Sequence, residues 1–440
     1  MNLSQPKTPQ PSQSTSRRDF LKASAIVAGA AAVPSLAVGR TAHAAGGGTI
    51  KIGLVGCGGR GSGAAVNAMN AGKDVKLVAM ADIFEEYVKG ARDRIKAIKP
   101  EQTAVDDEHC FVGFDAYKKV IECADVVLIA PSSHFQPIVL KAAIDAGKHV
   151  FCEKPHGLDA PGVKASMAAA EDAKKKGLSL VSGLCWRYDV GARETMKRVQ
   201  DGAIGDIIAI QENYLSSPYV MRPRKQGWSE MEYQYRNWYH FNWLSGDQTA
   251  QQLIHSLDKA SWAMGDKPPV KAWGMGGRQV CTHPDYGDQF DHHAVVFEYA
   301  NGVRLFGFTR DQVNCYTETE DYLLGTKGRA AICRHHIDGA AKWRFRGEKP
   351  SMYDEEHRLL FESIRSGKPL NNMDYMGTSS MLAVMAQMVC YTGQEVTWEQ
   401  AMNSKLTFAQ PRYGFDAEPP IKPDKDGNYP AALPGITKFI

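Results

Sequence analysis

The feature that most constrains this chain is the loop Gly56-Cys57-Gly58-Gly59-Arg60-Gly61, which directly follows Thr49-Ile50-Lys51-Ile52-Gly53-Leu54-Val55. The apolar, β-branched run reads as a buried strand, and Ala64 to Met69 reads as the helix after it. In a strand–turn–helix of this kind Gly56 permits the tight turn, Gly58 lets backbone approach a pyrophosphate, and Gly61 allows close helix–strand packing. Gly59 and Arg60 open the helix, where free N–H groups and the positive end of the dipole suit phosphates. A second strand, Val75 to Ala81, ends in Asp82. That is about twenty residues past the last glycine, where an acid accepts from a ribose 2′-OH and repels a 2′-phosphate. The alternative role for Asp82 is a helix N-cap. NAD is therefore favoured, and NADP stays open because Arg60 is placed either to stack on adenine or to meet a 2′-phosphate.

A further buried strand, Ala124 to Ala130, ends at Pro131-Ser132-Ser133-His134. A helix from Pro137 to Ala146 and a strand running into Glu153-Lys154-Pro155 follow. Alternation of this kind specifies an α/β fold with a doubly wound parallel sheet, a Rossmann domain. At 440 residues there is room for a second domain, since single cores stop growing near roughly 250–300 residues. A net charge of +3 with no dense Lys/Arg run excludes a nucleic-acid partner. Nine scattered cysteines without a C-x-x-C pair exclude a disulfide framework and a zinc signature. The pairs His292-His293 and His335-His336 lack acids or cysteines at ligand spacing, so no metal is expected.

Ser16-Arg17-Arg18-Asp19-Phe20-Leu21-Lys22, a weakly apolar stretch to Val38 and the small-x-small Ala42-His43-Ala44 resemble a twin-arginine export signal. The stretch is broken by Gly29, Pro34 and Gly39 and is too short for a stable membrane anchor. The resemblance implies passage through the twin-arginine translocase in the folded state and a periplasmic or secreted location. Free cysteines fit that route, because folding precedes exposure to an oxidising compartment.

Several motifs together resemble the Gfo/Idh/MocA family over roughly residues 49–400. They are P-S-S-H at 131–134, A-G-K-H-V-F-C-E-K-P at 146–155, Trp186-Arg187-Tyr188, Gly202 to Ile207, Ile254-His255-Ser256-Leu257-Asp258, Leu324 to Gly328, and Phe361 to Leu370 as a late helix. With the export signal placed over 1–44, the resemblance implies a Rossmann domain over 49–155. It further implies a substrate and oligomerisation domain over 156–400, built on a large, mostly antiparallel sheet, and an extended Pro-rich tail over 401–440. A homo-oligomer, dimer or tetramer, is expected on the open face of that sheet. The β-rich patterns at 204–216, 293–300, 302–310 and 319–324 supply its strands.

The same resemblance makes Lys154 the donor near nicotinamide and substrate hydroxyl, with Glu153 and Pro155 fixing its turn and Pro131 and His134 beside the cofactor. His255 is the candidate acid/base, since imidazole titrates near neutrality. Asp258 shares its face at i+3 and has a structural alternative. Many relatives carry an acid one turn before this histidine. Here Gln251 stands there, so His255 works with Lys154 alone, or Asp247 substitutes, or the chemistry has shifted.

Tyr214 to Trp243 is aromatic and basic without a clean period, and reads as a long ordered loop. Tyr214, Trp238 and His240, together with Arg187 and Asp258, are its candidate contacts to a carbohydrate or uronate; packing of the loop is the alternative for the aromatics. The expected activity is hydride exchange between NAD(P) and a secondary alcohol of a sugar, cyclitol or sugar derivative, with the cofactor retained and recycled. The rivals are a redox-neutral, NAD-dependent glycoside hydrolase and a non-catalytic sugar-binding protein.

Overall fold

The computed structural model describes residues 48–439; the segment read as an export signal and its boundary near residue 44 lie outside them. In β1 (Ile50–Val55) every residue but Lys51 is buried, as a strand covered by helices on both faces requires. The chain continues α1 (Gly59–Asn70), β2 (Val75–Asp82), α2 (Glu85–Ile98), β3 (Cys110–Val112), α3 (Ala116–Cys123), β4 (Val126–Ile129), α4 (Gln136–Asp145), β5 (His149–Cys152), α5 (Ala160–Lys175) and β6 (Leu180–Ser182). The six strands lie in the order β3-β2-β1-β4-β5-β6, all parallel. Strand order reverses between β1 and β4, and the crevice beyond the strand ends at such a point is where these sheets take a ligand.

After α6 (Val190–Gln200) the chain builds a second sheet. Its strands are β7 (Ile207–Ser216), β8 (Lys271–Gly277), β9 (His292–Glu298), β10 (Arg304–Asp311), β11 (Glu318–Gly325), β12 (Gly328–Ala331), β13 (His336–Gly339), β14 (Trp343–Arg344) and β15 (Val396–Thr397). The order is β14-β13-β12-β11-β7-β10-β9-β8-β15, antiparallel except where β7 meets β10. Between β7 and β8 run α7 (Glu230–Arg236), α8 (Asn242–Ser245), a π-helical turn (Thr249–Leu253) and α9 (Ile254–Ala263). α10 (Met352–Arg365), α11 (Met373–Thr392) and the short α12 (Trp398–Asn403) come late in the chain. Helices α9 and α11 pack on one face of this sheet. The opposite face leaves Trp273, Val296 and Phe306 half-buried and Met275 exposed.

Packing does not divide at residue 155. Strand β6 extends the first sheet beyond it, and Leu360, Phe361 and Ile364 of α10 join that sheet's core. The late helix expected from Phe361 to Leu370 is α10, which starts nine residues earlier at Met352 and ends at Arg365. It starts at Ser351, whose side chain accepts from the Asp354 N–H, and Arg365 reaches Asp74 at 2.8 Å. Nor is 214–243 one loop: the Ser229 side chain caps α7, and Tyr233, Tyr235, Phe241 and Trp243 form a core of their own. From Ser404 to Phe439 the described residues form neither helix nor strand. They lie along that aromatic core, with Phe415 stacked on Phe84 and Tyr429 buried. All nine cysteines are free, and no helix among the described residues is long and apolar enough to cross a membrane.

Burial lowers the pKa values of His134, His156 and His240 from 6.5 to about 4. Each takes a proton in the unfolded chain before it does in the folded one. Their contribution is therefore full above pH 6.5 and is lost as pH falls towards 4, by up to about 1.4 kcal/mol per pH unit per group. His156, wholly buried with Nδ1 3.1 Å from Ser380 Oγ, isolates the effect. A His156→Asn variant is expected to lose stability less steeply over pH 6.5 to 4 than the parent, as read from urea midpoints.

Candidate active site

The switch point holds the glycine loop. Gly56 has φ +92°, and a Cβ on it would lie 2.4 Å from the Ala130 carbonyl carbon and the Pro131 nitrogen. A Cβ on Gly61 would lie 1.9 Å from the Gly56 oxygen, so both glycines answer to close backbone approach. At Gly58 and Gly59 a Cβ would meet nothing within 4 Å, because these residues face an open cleft. Helix α1 begins there with no side-chain cap and no acid in its first turn, so its N–H groups are free for an anion. Asp82 is on the cleft wall, where Oδ2 accepts from the Cys57 N–H at 2.7 Å and Oδ1 from Phe84 N–H at 3.1 Å. It is not the cap of α2, whose N-cap is Phe84. Burial raises the Asp82 pKa above the ordinary value. Cleft, free N–H groups and strand-end acid fit a dinucleotide: the loop would hold the diphosphate and Asp82 a ribose.

Arg60 neither stacks on a base nor waits for a phosphate. Its Nε donates to Glu153 at 2.5 Å, Nη2 lies 3.7 Å from the buried Glu356, and its guanidinium sits over the Tyr353 ring. Glu153 is thereby the anchor of Arg60, and Pro131 lines the cleft while Glu153, Lys154 and Pro155 lie outside its walls. His134 also turns away. Its Nε2 is 2.8 Å from Tyr413 Oη and its ring packs edge-on to Trp243, because the aromatic core supplies the only partners in reach.

Lys154 and His255, both half-buried, come close enough for the lysine charge to act on the imidazole. Lys154 Nζ donates to the Gln251 carbonyl at 2.5 Å, and burial lowers its pKa. Burial also holds the His255 pKa well below 6.5, with the charges of Lys154, Lys259 and Arg60 pushing the same way. Its Nδ1 is withdrawn from solvent and has no partner among the described residues. The Gln251 amide donates to Ser133 Oγ at 2.9 Å and to the Ser245 carbonyl. Asp247 does not substitute for an acid at 251. It is spent on Tyr391 at 2.5 Å, His293 at 3.3 Å and the Phe290 N–H at 3.1 Å.

The remaining candidates separate. Arg187 and Asp258 face each other, with Arg187 forking onto Asp258 and Asp266 at 2.9 and 2.6 Å and stacking on Tyr375, while Asp258 also accepts from Ser379. Both are committed to packing, because a buried carboxylate needs its cation. His240 is buried with its ring edge-on to Tyr286, and Tyr214 is half-buried on β7. Trp238 lines the dinucleotide cleft, stacked at 3.8 Å on Tyr239, which stacks at 4.2 Å on Tyr219. The Tyr219 hydroxyl donates at 3.4 Å to the same Gln251 carbonyl that holds Lys154. The buried charges Lys259 and Glu356 were invisible from sequence, while Tyr219, Arg222 and Tyr239 belonged to the stretch expected to meet a sugar and were not singled out for the dinucleotide cleft; for those three the signal was compositional. The paired histidines are each bound to an acid, and among the described residues no group of three potential ligands could hold a metal.

A Rossmann sheet with an open glycine cleft, together with a half-buried pair made of Lys154 after its strand β5 and His255 on α9 of the second half, defines a dinucleotide-dependent oxidoreductase. Residues 50–181 match the family described as oxidoreductase family, NAD-binding Rossmann fold, and residues 14–34 match the twin-arginine translocation pathway signal sequence. Residues 50–181 therefore carry the NAD-binding Rossmann domain of the Gfo/Idh/MocA oxidoreductases, and the chain carries a twin-arginine export signal. It is 24% identical over 258 residues to the 2,7-anhydro-N-acetylneuraminate hydratase of Escherichia coli (strain K12), spanning 58% of this chain and 63% of that protein. It is 29% identical over 289 residues to the inositol 2-dehydrogenase of Rhizobium meliloti (strain 1021), spanning 64% and 75%. Levoglucosan dehydrogenase in complex with NADH shares the fold, with a TM-score of 0.63 at 16% identity over 80% of this chain and 100% of that one.

Arg187→Met leaves the buried Asp258 without its cation and frees the half-exposed Asp266. It is expected to cost about 3–5 kcal/mol of unfolding free energy, read by urea denaturation, with an unchanged substrate KM in the folded fraction.

Proposed function

We propose that this exported oxidoreductase exchanges hydride between a retained NAD and a secondary alcohol of a sugar, cyclitol or sugar derivative. The observation that carries the reading is His255, a half-buried imidazole held neutral, whose desolvated Nδ1 has no partner among the described residues, beside the Lys154 ammonium. When bound, the nicotinamide supplies the hydride acceptor. His255 takes the hydroxyl proton, and the Lys154 ammonium stabilises the negative charge that grows on the oxygen in a site with little water to screen it. Gln251 is part of the design. A carboxylate there would favour imidazolium and raise the His255 pKa, whereas the neutral amide leaves it a free base at neutral pH. Export supports retention, because an enzyme outside the cytoplasm meets no substantial pool of free dinucleotide. The half-buried apolar face of the second sheet supports a homo-oligomer.

The hydratase relative favours a second reading, in which oxidation and return of hydride on the same substrate give redox-neutral bond cleavage or hydration. Released NAD(H) after denaturing the purified protein, with absorbance change at 340 nm on a sugar panel, supports the first reading. Bond cleavage without net absorbance change supports the second, and absence of bound or bindable dinucleotide refutes both.

The acid limb of kcat/KM is expected to lie well below pH 6.5, since His255 must be unprotonated. Gln251→Glu should move that limb to higher pH. His255→Gln should lower kcat by about 10²–10⁴-fold with dinucleotide binding retained.

A further inference from the structure

Four arginines line the dinucleotide cleft: Arg60, Arg94, Arg222 and Arg236. Arg60 is taken by Glu153 and Glu356, and Arg236 by Glu86 and Glu232 at 2.6 and 2.8 Å. Arg94 is exposed to water. Arg222 is different. It is half-buried, its Nη1 is withdrawn from solvent without a hydrogen-bond partner, and, unlike Arg60, whose Nη2 also lacks a hydrogen bond but faces Glu356 at 3.7 Å, it has no carboxylate in ion-pair reach among the described residues. A desolvated guanidinium N–H without an acceptor is costly, and an anion in the cleft removes the cost. Gly58 and Gly59, at the uncapped start of α1, line the same cleft and call for the same kind of ligand.

Arg222 is held from behind and the segment that carries it is fastened down. Its backbone N–H donates to Asn237 Oδ1 at 2.9 Å, and Asn237 in turn donates to the Asp285 carbonyl at 2.7 Å. Helix α7 is tied to the first sheet where Arg236 crosses the Phe84 ring at 3.9 Å. The C-terminal tail lies over α7: Tyr429 Oη donates to Glu230 at 2.5 Å, Gln234 donates to the Ile421 carbonyl at 2.8 Å, and Ser229 donates to the Phe415 carbonyl. Phe415 then stacks on Phe84, so the tail links both sides of the cleft.

We propose that Arg222 is a ligand of the dinucleotide's diphosphate, supplied from across the cleft, and that the tail-fastened segment must lift before the dinucleotide leaves. This deepens the retained-cofactor reading and rests on it. The test uses the exported full-length protein and measures NAD per chain after desalting, then NADH release by stopped-flow chase with excess NAD. Arg222→Gln is expected to release NADH at least tenfold faster, with Arg222→Lys intermediate, while adenosine, which lacks the diphosphate, binds both equally. Phe415→Ala, outside the cleft, is expected to speed release as well. Unchanged release in Arg222→Gln overturns the assignment. An Arg222→Gln effect confined to the KM of acidic sugars also overturns it, assigning Arg222 to a substrate carboxylate. Unchanged release in Phe415→Ala overturns the fastening role of the tail. A parent protein that arrives without bound NAD refutes retention alone; titration of NAD into parent and Arg222→Gln then still decides the contact.

Discussion

The bond from the Lys154 ammonium to the Gln251 carbonyl joins the end of β5 to the π-helical turn before α9. An ammonium taken out of water needs an acceptor, and a main-chain carbonyl at a π-helical turn offers one. Much of the site depends on that contact. It sets the charge beside His255, and it shares its oxygen with Tyr219, whose ring begins the stack that ends at Trp238 on the cleft wall. The reacting pair and the dinucleotide wall are thus tied to one another through a single carbonyl.

Buried charge elsewhere obeys the same rule of compensation. Lys259 and Asp321 are both wholly buried and 2.9 Å apart, one turn beyond His255. Arg187 with Asp258 and Asp266, and Arg60 with Glu153 and Glu356, repeat the arrangement. Such pairs add little net stability but are expensive to break, so they fix positions more than they strengthen the fold. Arg222, whose Nη1 has no such partner, stands out against this background.

The Rossmann half was legible because its signals are local. Gly56 and Gly61 are glycines for reasons the strand–turn–helix order already contains, and the contacts of 2.4 and 1.9 Å that a Cβ would make give the same reasons in space. Asp82 likewise follows from the end of a strand. The strands of the second sheet were legible from alternation, and the family motifs supplied their assembly. Arg187, Asp258, His134 and His240 have side chains whose type suits a ligand, while the groups they meet in the fold are far away in sequence. Asp258 meets Arg187 across 71 positions and His134 meets Tyr413 across 279. A polar residue's role depends on which group satisfies it, and no local pattern carries that.

The sequence by itself therefore determined the class of fold, the export signal, the dinucleotide loop, and the lysine and histidine of the candidate site, since each rests on short-range order of residue types. Only the tertiary structure decided which polar groups are spent on each other and which are left to meet a ligand. It paired Arg60 with Glu153 and turned Asp247 towards His293, and it laid the tail against α7. It also left Arg222 Nη1 desolvated and unpaired. The physical reason is that hydrogen-bond satisfaction is a property of the packed whole: a donor's value is set by the acceptors that folding brings to it.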